Sequence, residues 1–220
     1  MKQLSLFPDC RSESDCSPKL IPKPSWLSYY DYRNFAEYLL IISLPDFIEN
    51  AVFNYKCLLA KQIGDYYSRS STAHITIAYF LMAVKKEVAM LHSLQNAAAE
   101  ESEIPLTING FEFFNSSCTV FLKIMEREIF SKLSKNLKNN SLLSKIPSDF
   151  RIHTYKPHIT IGRGLNHGFA LAHNMFKQQY FFQNFTVAEV HLLKRNNLGR
   201  YESIQKFPFL SRASPQSTLF

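Results

Sequence analysis

Glycine is scarce in this chain, and several common signals are missing. Only 6 of the 220 residues are glycine, while 19 are phenylalanine and 11 are tyrosine, so the composition favours a packed globular protein. The four cysteines, at positions 10, 16, 57 and 118, form neither a CxxC pair nor a zinc-binding spacing. No apolar run approaches the ~18 residues of a membrane span, and the N-terminus lacks the apolar core of a secretory signal. We therefore expect a cytoplasmic protein without a membrane segment.

The chain carries an excess of positive charge, and its least apolar segments lie at the two ends. The formal net charge is +7 and the pI is about 9.2, which favours anionic partners such as phosphate esters or RNA. Residues 1–25 are rich in Ser, Pro and Lys and show little periodicity, so we expect a flexible polar leader. Residues 26–210 are predicted to form a single domain of two joined lobes, and residues 211–220 a polar tail.

The tetrapeptide His-Ile-Thr-Ile occurs twice, and both copies have the pattern of a β-strand. The two histidines, His74 and His158, are 84 residues apart. Alternation along a strand places His and Thr on one face and both Ile on the other. Each copy therefore presents an imidazole and a hydroxyl, from Thr76 or Thr160, above a buried aliphatic layer. Two such strands side by side would offer acid–base groups and hydroxyl donors to a phosphate ester.

The two copies end similar strand–helix–strand segments, which indicates an internal repeat. Strand 38–44, helix 46–64 and His74 correspond to strand 119–125, helix 127–143 and His158. Such a repeat would place the two histidine strands in equivalent positions about a pseudo-twofold axis. The apolar periodicity predicts strands at 38–44, 73–81, 106–114, 119–124, 158–161, 185–193 and 201–209, and helices at 46–64, 84–100, 126–143 and 167–180.

These features resemble the 2H phosphoesterase superfamily, and within it the 2′-5′ RNA ligase and cyclic phosphodiesterase branch. The more specific motif is Lys156-Pro157-His158-Ile159-Thr160-Ile161-Gly162-Arg163, while Ala73 replaces the proline that is frequent before the first histidine. The resemblance covers residues 36–210. It implies an α+β fold of two pseudo-symmetric strand–helix–strand lobes whose antiparallel sheets line a central groove. It also implies no metal and no cofactor.

The resemblance implies catalytic roles for His74, Thr76, His158 and Thr160. An unperturbed histidine titrates near pH 6.5 and therefore suits both the base that activates water and the acid that protonates the leaving oxygen. The threonine hydroxyls can donate hydrogen bonds to the phosphate oxygens. The residues themselves do not decide which histidine is which, and the resemblance favours His74 as the acid and His158 as the base.

Four further residues are candidates for binding substrate. Lys156 and Arg163 flank the second motif and would attract phosphate, whereas Tyr79 and Phe113 would stack on a base. Each also has an ordinary alternative, because a solvated charge or a packed ring is common in such a chain. We expect the partners to be RNA ends or nucleotide cyclic phosphates, bound by a monomer.

Two other classes of protein compete with this interpretation. A non-catalytic RNA- or nucleotide-binding module fits the charge and the aromatic content, but it does not account for two matched His/Thr pairs. A metal hydrolase would need clustered His or carboxylate ligands, and no Asp or Glu accompanies either motif. The sequence leaves the physiological substrate open among cyclic-ended RNA, cyclic nucleotides, 2′-5′ linkages and ADP-ribose cyclic phosphate.

Overall fold

The computed structural model of the chain describes residues 34–196 and 200–213, which form an α+β fold as predicted. The predicted leader (1–25) and most of the predicted tail (211–220) lie outside the described residues. The strands are β1 (Phe35–Ser43), β2 (His74–Ala83), β3 (Ile104–Phe114), β4 (Thr119–Ile124), β5 (Arg151–His153), β6 (His158–Gly162), β7 (Phe182–Val187), β8 (Glu189–Arg195) and β9 (Glu202–Pro208). The α-helices are α1 (Asp46–Ile63), α2 (Glu87–Ala99), α3 (Arg127–Asn139) and α4 (Phe169–Lys177).

One antiparallel sheet contains all nine strands, and it consists of two equivalent halves. The strand order is β7-β3-β4-β6-β2-β1-β8-β9, with β5 paired to β2 beside β6. The halves meet where Ile75 of β2 pairs with Ile159 of β6, which are equivalent positions of the two His-Ile-Thr-Ile motifs. A pseudo-twofold axis at this pair relates β2 to β6 and β1 to β4, as the repeat in the sequence predicts.

The segment predicted as one strand at 185–193 is instead two strands, β7 and β8. Up to Val187 the chain forms β7, which pairs with β3 in one half, and after Ala188 it forms β8, which pairs with β1 in the other. The apolar pattern continues across this point without Gly or Pro, so the sequence has no breaker that would reveal the division. Because a single residue joins strands from the two halves, the sheet curls into a half-barrel around a groove.

The helices cover the convex face of this curled sheet. Helix α1 packs against α4 and β6, while α2 packs on β9 and contacts α3. The four motif isoleucines are fully buried in the core on this side. We call this side the core face, and the opposite side, which carries the motif His and Thr residues, the groove face. Burial of the four isoleucines, worth roughly 1.5–3 kcal/mol each, anchors the histidine strands.

Helix boundaries follow the predictions closely, with shorter ends. Gly64 ends α1 with a φ of +84°, a conformation that glycine adopts at no steric cost. The helix predicted at 126–143 ends at Asn139, and a short 3₁₀ turn at Leu142–Lys145 follows it, capped by the Ser141 hydroxyl. Within residues 34–196 and 200–213, no helix has both the length and the apolar character needed to cross a bilayer.

Candidate active site

The junction of the two halves brings the four motif side chains together on the groove face. Antiparallel register around the Ile75–Ile159 pair sets His74 on the side of Thr160 and Thr76 on the side of His158. All four side chains are half-buried. In the part of the chain that the structure describes, neither threonine hydroxyl has a hydrogen-bond partner, so both are available to a ligand.

The two imidazoles are held in the same way. Nδ1 of His74 lies 2.9 Å from the carbonyl oxygen of Thr72, and Nδ1 of His158 lies 2.9 Å from that of Lys156. Because a carbonyl oxygen only accepts hydrogen bonds, each Nδ1 carries the proton and donates it. Each neutral ring therefore presents an unprotonated Nε2 to the groove, which is the form required of a general base.

The surroundings favour the neutral form of both histidines. Burial is the main factor that lowers the pKa of His74, and the positive charges of Lys56 and Arg163 lower it further. Burial also lowers the pKa of His158, together with the charges of Arg163, His74 and Lys156. The hydrogen bonds to the backbone carbonyls oppose these effects without overcoming them. The two histidines lie one on each side of the Ile75–Ile159 pair, on neighbouring strands, so the charge on one ring affects the protonation of the other.

Two matching β-bulges turn Tyr79 and Arg163 onto the groove face. Between β1 and β2 the register steps from Leu40–Ala78 to Ile41–Thr76, which leaves Ile77 as the extra residue. Between β4 and β6 the register skips Ile161 in the same way. Without a bulge, a residue five positions after each histidine would point to the core. Tyr79 and Arg163 are these residues, and they occupy equivalent positions in the two halves.

The structure gives these two residues different surroundings. The Tyr79 hydroxyl donates to Oε2 of Glu37, 2.7 Å away, and the same carboxylate forms an ion pair with Arg195. Tyr79 thus has only its ring left for a ligand. The Arg163 backbone N–H donates to the Ser68 hydroxyl at 2.9 Å, and among the described residues no carboxylate pairs with its guanidinium. Arg163 therefore offers an uncompensated charge to an anion beside both histidines.

Lys156 lies beside His158 within a small charged and aromatic cluster. Its ammonium is 3.4 Å from Glu112 and 4.7 Å from the centre of the Phe114 ring. Glu112 also contacts Lys123 at 2.9 Å. Burial raises the pKa of Glu112, but the hydrogen bond and charge of Lys123 and the charge of Lys156 together hold it below its usual value. Lys156 is thus partly neutralised, and Glu112 tethers it at the edge of the groove.

The structure places Phe113 away from the groove, contrary to its predicted role. Its ring packs against His173 and Phe169 of α4 on the core face, with ring centres 4.2 and 6.4 Å apart. Phe114, the next residue, is on the groove face instead, and its ring meets the His158 ring edge-on at 5.2 Å. The bulge at Gly110, where φ is +74°, determines that Phe114 faces the groove and Phe113 the core. Phe114 therefore replaces Phe113 as the candidate aromatic contact.

Ser43, His191 and Glu189 form a hydrogen-bonded line on the groove face that the sequence did not predict. Ser43 pairs directly with His74 across β1 and β2, and its hydroxyl lies 2.8 Å from Nδ1 of His191. Nε2 of His191 lies 2.7 Å from Glu189. The line holds a third hydroxyl beside His74. Pairing of β1 with β8 creates it, so the positions of these residues in the sequence give no indication of it.

A buried lysine organises the loop that leads to the first histidine. Lys56 of α1 is 2% exposed, and its ammonium donates to the carbonyls of Ser68 and Ser71 at 3.1 and 2.6 Å and to the Ser71 hydroxyl at 2.9 Å. Burial lowers its pKa to about 8. The sequence did contain a signal, because Lys56 falls on the apolar stripe of α1 between Val52 and Leu59. The loop also accepts the Arg163 N–H through Ser68, so it connects the two motifs.

The functional groups of the groove are imidazoles, hydroxyls and a guanidinium. Among residues 34–196 and 200–213, no three His, Cys, Asp or Glu side chains come together in an arrangement that would hold a metal ion. The chemistry that the site offers is proton transfer by two imidazoles and hydrogen bonding by hydroxyls, with Arg163 as the nearby cation.

Comparisons with known proteins identify the family and similar folds. The family model for the 2′-5′ RNA ligase superfamily matches residues 45–199. The fold is similar to that of TT0787 from Thermus thermophilus, with 17% identity, a TM-score of 0.60 and coverage of 80% of this chain and 100% of that one. It is also similar to E. coli LigT in complex with 3′-AMP, with 17% identity, a TM-score of 0.60 and coverage of 80% and 98%. No curated protein matched by sequence.

Proposed function

The chain belongs to the 2′-5′ RNA ligase superfamily of 2H phosphoesterases, and on this premise we propose that it hydrolyses 2′,3′-cyclic phosphates at RNA ends or on nucleotides. The observation that carries the proposal is the matched pair of histidines, each fixed through Nδ1 and each presenting Nε2 to one groove. That E. coli LigT has been crystallised with 3′-AMP supports a nucleotide ligand for this groove. The groove is built from one chain, so the proposal requires no second subunit.

In the proposed reaction a water molecule attacks phosphorus while His158 accepts its proton through Nε2. On the opposite side of the phosphorus, protonated His74 gives its Nε2 proton to the leaving ribose oxygen, and a phosphomonoester results. Thr76, Thr160 and Arg163 stabilise the charge that develops on the non-bridging oxygens. The assignment of acid and base follows the family resemblance. Lys156, Tyr79 and Phe114 complete the proposed substrate-binding set.

The same site would also catalyse ligation, in which a different nucleophile opens the cyclic phosphate. A ribose hydroxyl in place of water would attack the cyclic phosphate, with the two histidines in the same roles, and form a 2′-5′ or 3′-5′ linkage. The two outcomes differ only in which nucleophile occupies the space in front of His158. Water at high concentration favours hydrolysis, so we propose hydrolysis as the principal activity.

The proposal is tested by assaying purified protein against a panel of substrates with a chelator present. The panel contains 2′,3′-cyclic nucleotides, an RNA that ends in a cyclic phosphate, a 2′-5′ dinucleotide and ADP-ribose cyclic phosphate. We expect turnover of at least one cyclic phosphate. Binding of the same ligands without any turnover would favour the alternative, a non-catalytic RNA- or nucleotide-binding module.

We predict a bell-shaped dependence of kcat/KM on pH, with its maximum below about pH 6.5. One histidine must be neutral and the other charged, so the productive fraction falls on both sides of an optimum. Because the pKa values of both histidines are lowered in the free protein, both rings lose their protons at lower pH than an exposed histidine, which moves the optimum to the acidic side. Bound anionic substrate raises both pKa values, so kcat should peak at higher pH. Rates from pH 4.5 to 9.5 at constant ionic strength check this, and a rise that continues to alkaline pH contradicts it.

Replacing Lys56 with methionine is expected to move one limb of this profile to higher pH. The Lys56 ammonium is charged below its pKa of about 8 and lowers the pKa of His74, whereas the main charges that lower the pKa of His158 are those of Arg163, His74 and Lys156. Removing the charge should therefore move the limb that belongs to His74 to higher pH by more than the limb that belongs to His158. Lys61→Met, at an exposed position further along α1, is the matched control. A profile that is identical in Lys56→Met and wild type would contradict the electrostatic role of Lys56.

A further inference from the structure

A second depression, outside the groove, lies along helix α3. It has a volume of about 470 Å³ and is lined by Arg127, Ser131, Lys132, Lys135 and Asn136 of α3 together with Tyr155. We call this depression the α3 channel. Its helical side extends from Arg127 to Lys135, a distance of about 12 Å along the helix axis at 1.5 Å per residue.

The α3 channel is positively charged and contains an exposed aromatic ring. Lys132 and Lys135 are exposed, and within the described residues neither ammonium has a carboxylate within ion-pair distance. Arg127 is paired with Glu112, and Glu128 and Glu101 lie nearby, the latter hydrogen-bonded to Asn136, so Lys132 and Lys135 are the cations of the lining that are free to meet a phosphate. Tyr155 is 44% exposed. Positive charge combined with an accessible ring is the combination that binds single-stranded nucleic acid, through phosphates and stacked bases respectively.

The α3 channel opens next to the histidine groove. Arg127 lines the channel and also reaches Glu112 at 3.5 Å, and the same carboxylate holds Lys156 in the groove. Tyr155 immediately precedes Lys156, whose carbonyl accepts the Nδ1–H of His158. A chain of phosphates that begins at the histidines therefore meets Lys156 first, then Arg127, and then the lysines of α3.

We propose that the α3 channel binds the 5′ flank of a single-stranded RNA whose 3′-terminal cyclic phosphate lies between His74 and His158. This proposal rests on the proposed function and names its substrate class: RNA oligomers are preferred over mononucleotides. A 2′,3′-cyclic phosphate can occur only at a 3′ end, so the rest of the strand must leave the groove in the 5′ direction. The α3 channel gives that strand phosphate contacts and Tyr155 gives it a stacking surface, whereas a mononucleotide ends before reaching them.

The test measures the activity of two double variants on each of two substrates. The substrates are adenosine 2′,3′-cyclic phosphate and an oligoadenylate of about six nucleotides that ends in a 2′,3′-cyclic phosphate. The channel variant is Lys132→Gln with Lys135→Gln. The control, Lys61→Gln with Lys177→Gln, removes the same charge from exposed positions on α1 and α4.

We expect wild type to favour the oligomer in kcat/KM and the channel variant to lose roughly 10-fold on the oligomer alone. Between 50 and 200 mM salt, the slope of log kcat/KM for the oligomer against log salt concentration should be shallower by about 1.4 in the channel variant than in wild type. Two lysines are removed, and each phosphate of a single strand that a cation neutralises contributes ~0.7 to this slope. Tyr155→Ala should also weaken binding of the oligomer, because the ring no longer stacks on a base. The control variant should match wild type on both substrates.

Several results would overturn the proposal. They are equal losses on both substrates, no loss on the oligomer, an equal loss in the control variant, and competition by an acidic peptide as strong as that by RNA. If neither substrate is turned over, the proposed function fails, but fluorescence anisotropy with a labelled oligoadenylate still tests the channel. Weaker binding in the channel variant than in the control would then support the channel, and equal binding would refute it.

Discussion

Replacing His74 or His158 with alanine should each lower kcat/KM for a 2′,3′-cyclic nucleotide by at least ~10²-fold. Each change removes one of the two proton-transfer groups, and a positioned acid or base typically contributes 10²–10⁴-fold. Because the two rings act as a unit, the double variant should lose far less than the product of the single losses. His92→Ala, at an exposed position on α2, is the matched control and should retain full activity.

The two histidine variants should differ on a substrate whose leaving group needs no proton. A nitrophenyl phosphodiester releases a weakly basic oxygen, so the general acid becomes dispensable while the base is still required. With His74 as the acid, His74→Ala should recover much of its activity on this substrate and His158→Ala should not. The opposite pattern would exchange the two roles, and full activity of either variant on the cyclic nucleotide would rule out the paired-histidine mechanism.

The second large effect is expected at the hydroxyls. Thr76→Val and Thr160→Val keep the β-branched shape and remove a donor that no other described residue engages. Loss of a donor to developing charge typically costs ~2.7–4 kcal/mol, or roughly 10²–10³-fold in kcat, and less where Arg163 shares the charge. KM should change little, because the interaction strengthens mainly in the transition state.

Steady-state kinetics and thermal denaturation together check the threonine prediction. Thr186→Val, at an exposed position on β7, makes the same chemical change away from the groove and should leave kcat unaltered. Unchanged kcat in both Thr76→Val and Thr160→Val, with a lowered Tm, would mean that the hydroxyls are structural.

The sequence predicts the centre of this site because strand periodicity alone decides which face His and Thr share. The same periodicity buries Ile75, Ile77, Ile159 and Ile161, and all four are fully buried. The repeat likewise predicts the pseudo-symmetric halves of the fold. These inferences succeed because the pattern of each strand and helix is contained in a short segment of the chain, and the repeat only requires that two such segments match.

The periphery of the site depends on features that local patterns do not reveal. Simple alternation gives the wrong face for Tyr79 and Arg163, and only the bulges at Ile77 and Ile161 bring them to the groove. The choice between Phe113 and Phe114 depends in the same way on the bulge at Gly110. A bulge adds one residue to a strand and has no fixed sequence signature. The sequence alone therefore does not show which face of the sheet the residues after a bulge occupy.

Long-range pairing accounts for the other omissions. Ser43 and His191 meet only because β8 pairs with β1. This pairing is possible because the segment predicted as one strand at 185–193 divides at Ala188 into β7 and β8. Lys56 differs from these residues, because its position on the apolar stripe of α1 can be identified in the sequence. A lysine on such a stripe can extend its ammonium to solvent, so only the loop that covers it identifies it as buried.

The most direct measurement of the central proposal follows adenosine 2′,3′-cyclic phosphate by phosphorus NMR in the presence of excess EDTA. Wild-type protein should convert the cyclic phosphate signal into that of a phosphomonoester, and the His74→Ala/His158→Ala double variant should leave it unchanged over the same period. An unchanged signal with wild type, or conversion that begins only when a divalent metal ion is added in excess of the chelator, would contradict the proposal that two histidines suffice for the reaction.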